Sequence, residues 1–383
     1  MCNSLFSNAT PPGGTAPADT LHAMLDIAQN PGSNVTALYD TPPPQVPFAP
    51  TLTGAPNDWT LAVVYTGGGL DYALSLAIDA SGNIWAVNHD GLSLSEFNTL
   101  GVSLRGSNGI TSNVPDEPIV LAIDPSGNLW LNNEADRSLT KFSGTGSYLS
   151  TATWNCAGGD GIAIDSSGDV YGTNEGPVCK YAADGTASSF TPQCGVGVAV
   201  AVNGAGNVWV PTTEGDPATL EFDSSLSMVS GEPCYGWYDP EGKYMYAVTI
   251  DAQGDVWTAG SPVTEVSSSG SVLSGSGYAI AATAIAIDGN DTVWTTGGSA
   301  LGHLAHNGTV ISPSTGYTAS KLAQETDLAL DSSGNIWTLD VNNYLVEWWA
   351  WPLRSPRRWC RTWSTTPPPS ASGHNRACYG TRI

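Results

Sequence analysis

The side chains that could do chemistry in this 383-residue chain are few and widely spaced. Four acidic residues recur in short polar segments: Asp90 in NHDG (88–91), Glu134 in NNEAD (132–136), Glu175 in NEGP (174–177) and Glu214 in TEGD (213–216). Carboxylates gathered on one rim would suit calcium or a cationic partner, because hard cations take oxygen ligands and a field of one sign attracts its opposite. The same residues also serve simply to keep an acidic protein soluble. A second group is aromatic. Tyr235, Trp237, Tyr238 and Tyr244 lie in CYGWYDPEGKYMYA (234–247), where they could stack on a sugar or peptide, or pack this segment against its neighbours. Cys156, Cys179, Cys194 and Cys234 lack the Cys-x-x-Cys spacing of zinc or redox sites and admit three pairings, so one or two disulfides are expected. His303 and His306 are candidates for metal-assisted bond cleavage, or plain surface residues. No Ser-His-Asp order or phosphate loop stands out.

What positions these residues is a repeat. LAIDASGNIW (76–85) returns as LAIDPSGNLW at 121, IAIDSSGDVY at 162, VAVNGAGNVW at 200, VTIDAQGDVW at 248, IAIDGNDTVW at 285 and LALDSSGNIW at 328. The turn position is held by Asp79, Asp124, Asp165, Asn203, Asp251, Asp288 and Asp331, at intervals of 37 to 48 residues. Such a period fits one four-stranded antiparallel sheet per repeat, and so an all-β, seven-bladed β-propeller. Each copy opens with an alternating apolar inner strand. It then passes a hairpin turn in which the Asp side chain can bond the following N–H groups and Gly takes positive φ. The second strand begins with an apolar residue and an aromatic: Trp85, Trp130, Tyr171, Trp209, Trp257, Trp294 or Trp337. A lone four-stranded sheet cannot bury both faces, so these rings are expected to fill the wedges between stacked blades. One turn residue written seven times, Asp in six copies and Asn in one, marks scaffold rather than catalysis. Third strands follow, a fourth is weaker, and DWTLAVVYTGGGL (58–70) is expected to supply the outer strand of blade seven and close the ring. The acidic loops and the blade-to-blade connections then share one face.

Three regions follow: a strap and Pro-rich linker at 1–57, the propeller at 58–347 and a tail at 348–383. In the first, ADTLHAMLDIAQNPG (18–32) is the one helical candidate, with Leu21, Met24, Leu25 and Ala28 at helical spacing and Asp19 or Thr20 as cap. TPPPQVPFAP (41–50) reads as extended linker. The tail departs from everything before it: six of the twelve basic residues lie after position 350, and five of the fourteen tryptophans fall between 348 and 363. Read from the third base of the Trp348 codon, this stretch becomes a bland apolar sequence beginning Val-Gly. A shifted reading frame near 348, or a disordered tail, is therefore expected, and no chemistry is assigned there.

Thirty-five acidic residues against twelve basic give a formal charge of −23, which repels phosphate backbones and argues against nucleic acid as a partner. No run approaches the roughly 18 to 20 apolar residues needed to span a bilayer, so no transmembrane segment is expected. The first residues lack the basic and apolar regions of a secretory signal. Cysteine usage and scarce lysine nonetheless point to an extracytoplasmic protein, secreted, periplasmic or surface-bound, whose signal peptide is missing from this chain.

On these letters the repeat resembles the NHL-repeat and virginiamycin B lyase-like propellers, whose blades carry an apolar strand, Asp-x-x-Gly-Asn, then Val/Ile/Leu followed by Trp/Tyr. The resemblance covers 58–347 and, with the segment ahead of the blades, extends to secreted bacterial NHL-repeat proteins of soil. It implies a seven-bladed propeller and export. Streptogramin lyases of this fold use a metal ion and a histidine general base, a role that among the propeller histidines His89, His303 and His306 would fall to His303 or His306. Gluconolactonase-type propellers hold a metal in the central channel, whereas the inner strands here are mostly Ala, Val, Ile and Leu, a poor cage for an ion. The expected function is that of a monomeric, non-enzymatic exported propeller presenting loops to a protein, glycan or cell-wall ligand. No cofactor is required, with calcium or magnesium the possible ion. The alternative is a metal-assisted lyase of the virginiamycin B lyase type.

Overall fold

A computed structural model of the chain describes residues 2–11, 13–30, 32–41, 55, 60, 62–154, 156, 159, 161–174, 177–191, 196–213, 218–230, 245–319 and 322–349. Seven antiparallel sheets stand in a ring. Their innermost strands are Ala73–Ile78, Pro118–Ile123, Gly161–Ile164, Ala201–Val202, Met245–Ile250, Ala284–Ile287 and Glu325–Leu330. Each contacts the inner strand of the next blade, and the seventh contacts the first. Blade two shows the full pattern, with Pro118–Ile123, Leu129–Asn133, Ser138–Phe142 and Tyr148–Thr153 paired in sequence order. In blades one, four and five the outermost strand is held only by isolated bridges such as Leu94↔Ile110, Phe222↔Met228 and Val266↔Val272. This fits the weak alternation of those segments.

The repeated turn explains itself atom by atom. Asp79 Oδ1 accepts the N–H groups of Ser81 and Asn83, while Oδ2 accepts the indole N–H of Trp85 at 3.2 Å. The same arrangement recurs at Asp124 with Trp130, at Asp251 with Trp257 and at Asp331 with Trp337. In blade three the Tyr171 hydroxyl replaces the indole and donates to Asp165. Gly82 sits at φ +85°, where a side chain would strain the hairpin. Blade six writes Asp291 at this turn position and holds it at φ +63°.

Each aromatic occupies the interface between its own blade and the next. Trp85 packs with Leu121 and Leu131 of blade two, Trp257 with Ile285 and Val293 of blade six, and Trp337 with Leu76 and Phe97 of blade one. Burying a ring of this size is worth about 4 to 6 kcal/mol before the cost of ordering the chain. The core is thus seven inter-blade seams rather than one centre.

Ala62–Thr66 pairs antiparallel with Tyr344–Trp348, from Ala62↔Trp348 to Thr66↔Tyr344, and forms the fourth strand of blade seven. Trp348 itself is buried and donates its indole N–H to Thr338. Ahead of the ring, the helix Thr20–Gln29 is capped by Asp19, which accepts the N–H of His22. Two further short helices, Cys2–Asn8 and Val35–Tyr39, accompany it. The buried face differs from the one expected: Ala23 and Ile27 pack on Leu5, Phe6, Ala9 and Leu38, while Leu21 and Met24 are 74% and 67% exposed. The neighbouring helices accept only the slimmer side. The Pro-rich segment from 42 to 50 and the tail from 350 onward lie outside the described residues.

Tyr65 carries the ring closure in one side chain: its ring stacks on Trp337 at 5.7 Å and its hydroxyl donates to Glu347 at 2.8 Å. Tyr65→Ala is expected to lower stability by about 3 kcal/mol in urea unfolding, and Tyr65→Phe, which keeps the stack, by about 1 kcal/mol. Equal losses for the two variants would show that the ring contact contributes nothing to closure.

Candidate functional site

The loop face over blades one and two gathers one of two sets of ligand-competent side chains found close together among the described residues. His89 and Asp90 follow the second strand of blade one, Ile84–Asn88. Glu117 precedes the inner strand of blade two, and Glu134 follows that blade's second strand, Leu129–Asn133. Backbone bonding fixes the loops: the N–H of His89 donates to the Tyr72 carbonyl, and the N–H of Glu134 donates to the Glu117 carbonyl. A ring nitrogen of His89 and carboxylate oxygens of Glu117 and Glu134 lie within 4.8 Å of one another. Asp90 Oδ1 stands 2.8 Å from His89 Nδ1 and orients the imidazole. Tyr72 meets His89 edge-on, ring centroids 5.8 Å apart, and is itself exposed. Tyr72 and Glu117 both adopt left-handed backbone, at φ +49° and +50°, where non-glycine residues are uncommon.

Two of the four acidic loop residues named from sequence, Asp90 and Glu134, therefore stand in one cluster. Glu175, Glu214, Tyr235, Trp237, Tyr238 and Tyr244 lie outside the described residues, as do Cys194 and Cys234. Of the four candidate cysteines, Cys156 and Cys179 form a disulfide with Cα atoms 5.8 Å apart. It ties the connection between blades two and three to the third strand of blade three, Val178–Tyr181.

The two histidines of blade six stand at the opposite, turn-side face. His303 lies within the third strand, Ala300–Leu304, wholly buried, with its ring stacked on Trp294 at 3.9 Å and Nε2 2.8 Å from the Thr292 hydroxyl. Burial pushes its pKa down to about 4, so it stays neutral. It packs flat against the wedge aromatic of its own blade. His306 is half-exposed, in the following turn.

The innermost strand of blade seven holds two carboxyls that the sequence reading passed over. Asp327 Oδ2 accepts the N–H of Leu76 at 2.9 Å and the hydroxyl of Ser75 at 3.0 Å, and the Ser75 oxygen in turn accepts the N–H of Leu121. One acid thereby satisfies the free inner edges of two further blades. Crowding in this seam raises its pKa to about 6 against those donors. Glu325, 2% exposed at the loop-face end of the same strand, is pushed up to about 8 by burial, with the Asp340 charge adding and the Thr338 hydroxyl offsetting part. A signal existed in the sequence. Four residues before the motif Asp or Asn stand Ser75, Val120, Gly161, Ala199, Ala247, Ala284 and Asp327, a column that turns ionisable only in blade seven.

No protein-family model and no curated protein sequence matches the chain. Solved structures do. Virginiamycin B lyase from Staphylococcus aureus superposes with a TM-score of 0.64 at 15% identity, over 76% of this chain and 99% of that one. The chain shares the β-propeller fold of that lyase. A catalytically inactive variant of the same lyase with quinupristin matches equally well in shape, at 14% identity over the same shares. The extracellular domain of a hybrid two-component system from B. thetaiotaomicron follows, with a TM-score of 0.55 at 13% identity, over 74% of this chain and 39% of that one. At such identities the likeness is one of fold.

Glu325 gives the propeller a distinctive pH response. A carboxyl raised by folding stabilises the native state in its protonated form. That contribution is complete below its ordinary value of 4.5 and is lost as pH rises through about 8. Glu325→Gln, nearly isosteric and never charged, should melt higher than the parent at about pH 9 and match it near pH 5, each unit of the shift being worth about 1.4 kcal/mol. Parallel pH profiles for the two proteins would mean that Glu325 is as well hydrated as an ordinary surface carboxylate.

Proposed function

We propose that the protein is an exported, non-enzymatic propeller that binds a protein or glycan ligand on the loop face of blades one and two. His89, Asp90, Glu117 and Glu134 engage a cationic group of that ligand, or a calcium or magnesium ion that bridges to it. The observation that carries this reading is the convergence of His89, Glu117 and Glu134 from three separate loops. Two glutamates held this close repel each other, and a cation between them turns that cost into attraction. Exposed Tyr72 beside them offers a flat, amphipathic surface for a sugar ring or a peptide side chain. Glu175 and Glu214 would continue the acidic rim, and the aromatics from Tyr235 to Tyr244 would add stacking surface beyond it.

The Cys156–Cys179 disulfide fits an oxidising compartment. No helix among the described residues is long and apolar enough to cross a membrane. The disulfide supports export into an extracytoplasmic space.

One observation favours the lyase alternative: a Glu325 carboxyl near 8 exchanges protons at neutral pH, as a general acid or base must, on the fold shared with virginiamycin B lyase. His303, locked beneath Trp294, takes no part in it. Glycan and peptide arrays probed with and without calcium, in the parent and in Glu117→Gln/Glu134→Gln, separate the two readings. Binding that falls at least tenfold in the double variant or in EDTA is expected, with quinupristin left intact by the parent. Magnesium-dependent opening of quinupristin that disappears in Glu325→Gln would replace the binding reading with the catalytic one.

A further inference from the structure

On the face opposite the proposed ligand site, every blade sets one polar residue of its third strand against its wedge aromatic, and in six of the seven blades the hairpin turn supplies that residue a counterpart. In blades one, four and seven it is a glutamate that accepts an Asn amide: Asn83 to Glu96 at 3.1 Å, Asn207 to Glu221 at 2.7 Å and Asn335 to Glu347 at 3.1 Å. In blades two and three it is a lysine, Lys141 with Asp124 and Lys180 with Asp169. In blade six it is neutral His303 with Thr292. Blade five breaks the rule, because Asp255 stands where the Asn should be and faces Glu265 with a second acid. Asp251 completes a group of three carboxylates, two of them buried.

The only basic side chain within ion-pair range of this group, among the described residues, is His306 from blade six. Its Nδ1 lies 3.6 Å from Asp251 Oδ2 and 3.5 Å from Asp291 Oδ2, and that atom is buried without a hydrogen bond. These separations are long for a hydrogen bond. Two atoms each about 2 Å from a shared tetrahedral ion stand roughly 3.3 Å apart, which is close to what is found. Ligand atoms of Asp251, Glu265 and His306 all fall within 4.8 Å of one another. The surroundings are rigid: Trp257 donates to Asp251, stacks on Tyr278 at 5.2 Å and lies 6.0 Å from the His306 ring, while the Tyr278 hydroxyl donates to Glu265.

We propose that Asp251, Glu265 and His306, with Asp291 at the rim, form a site for a divalent transition-metal ion of the zinc class that clamps blade five to blade six. The imidazole selects such an ion over calcium or magnesium, which prefer an all-oxygen shell. The ion takes the place that Asn, Lys or Thr fills in the other blades.

The test uses untagged, full-length protein stripped with chelator and titrated with Zn²⁺ or Co²⁺. One equivalent should bind, with a visible Co²⁺ spectrum of low coordination number and a rise in Tm of about 5 °C at a hundredfold excess over Kd. His306→Ala and Glu265→Gln should each abolish the spectrum. Asp255→Asn, which rebuilds the Asn–Glu pair of blade one, should raise the metal-free Tm and shrink the metal-induced rise, so the proposal does not depend on a variant that folds poorly. Absence of a stoichiometric metal, or a spectrum retained in His306→Ala but lost in His89→Ala, overturns it.

Discussion

The structure depends on one hydrogen-bonded turn side chain per blade, a carboxylate in six of the seven. A tryptophan driven into the wedge between two sheets brings its indole N–H with it, and an unbonded N–H there costs about as much as a lost hydrogen bond. The turn aspartate resolves this by dividing its oxygens, Oδ1 to the hairpin backbone and Oδ2 to the indole, as at Asp124 and Trp130. Local turn geometry and inter-blade packing are thereby fixed by the same side chain. Blade three keeps the logic with different letters, because the Tyr171 hydroxyl reaches the oxygen that an indole would. Blade four substitutes Asn203, whose Oδ1 still caps the N–H groups of Ala205 and Asn207.

This coupling is why the architecture was legible in the sequence and the site was not. Seven copies of one solution leave a period, and the period names the fold. A site, in contrast, is built from what varies between blades. His89, Glu117 and Glu134 belong to three different loops, and nothing in their spacing announces that they meet. Asp327 and Glu325 sat in an inner strand read as apolar because its six counterparts carry no ionisable residue at the Asp327 position. The helix face was misjudged for a related reason: Leu21 and Met24 are the larger apolar residues, but the flanking short helices, unrecognised in the sequence, pack on Ala23 and Ile27.

Electrostatics follow from the same geometry. The third-strand residue opposite each wedge aromatic sits close to the turn carboxylate, partly out of water, so its charge must be matched within its own blade or the next. Glu96 shows the demand most plainly, taking both Asn83 and the Arg105 guanidinium, the latter at 2.5 Å. Burial still holds the Glu96 carboxyl above its usual range, against the pull of Arg105. A chain of net charge −23 has few cations for such positions, and three of the seven blades use a neutral Asn amide instead.

The seam between blades seven and one has a consequence for the loop face. Closing the ring uses Tyr65 on Trp337 at its outer edge and Asp327 on Leu76 at its inner edge. At the loop side the Asn343 carboxamide oxygen accepts the N–H of Tyr72 at 2.6 Å. Tyr72 in turn supplies the carbonyl that holds the His89 backbone and the ring that His89 meets edge-on. The cluster on blades one and two is therefore built on the closed ring and is lost when the seam opens. Any ligand or ion bound there favours the closed form by its own binding free energy. The place where the chain's first strand meets its last sheet is thus the join that a bound partner would reinforce.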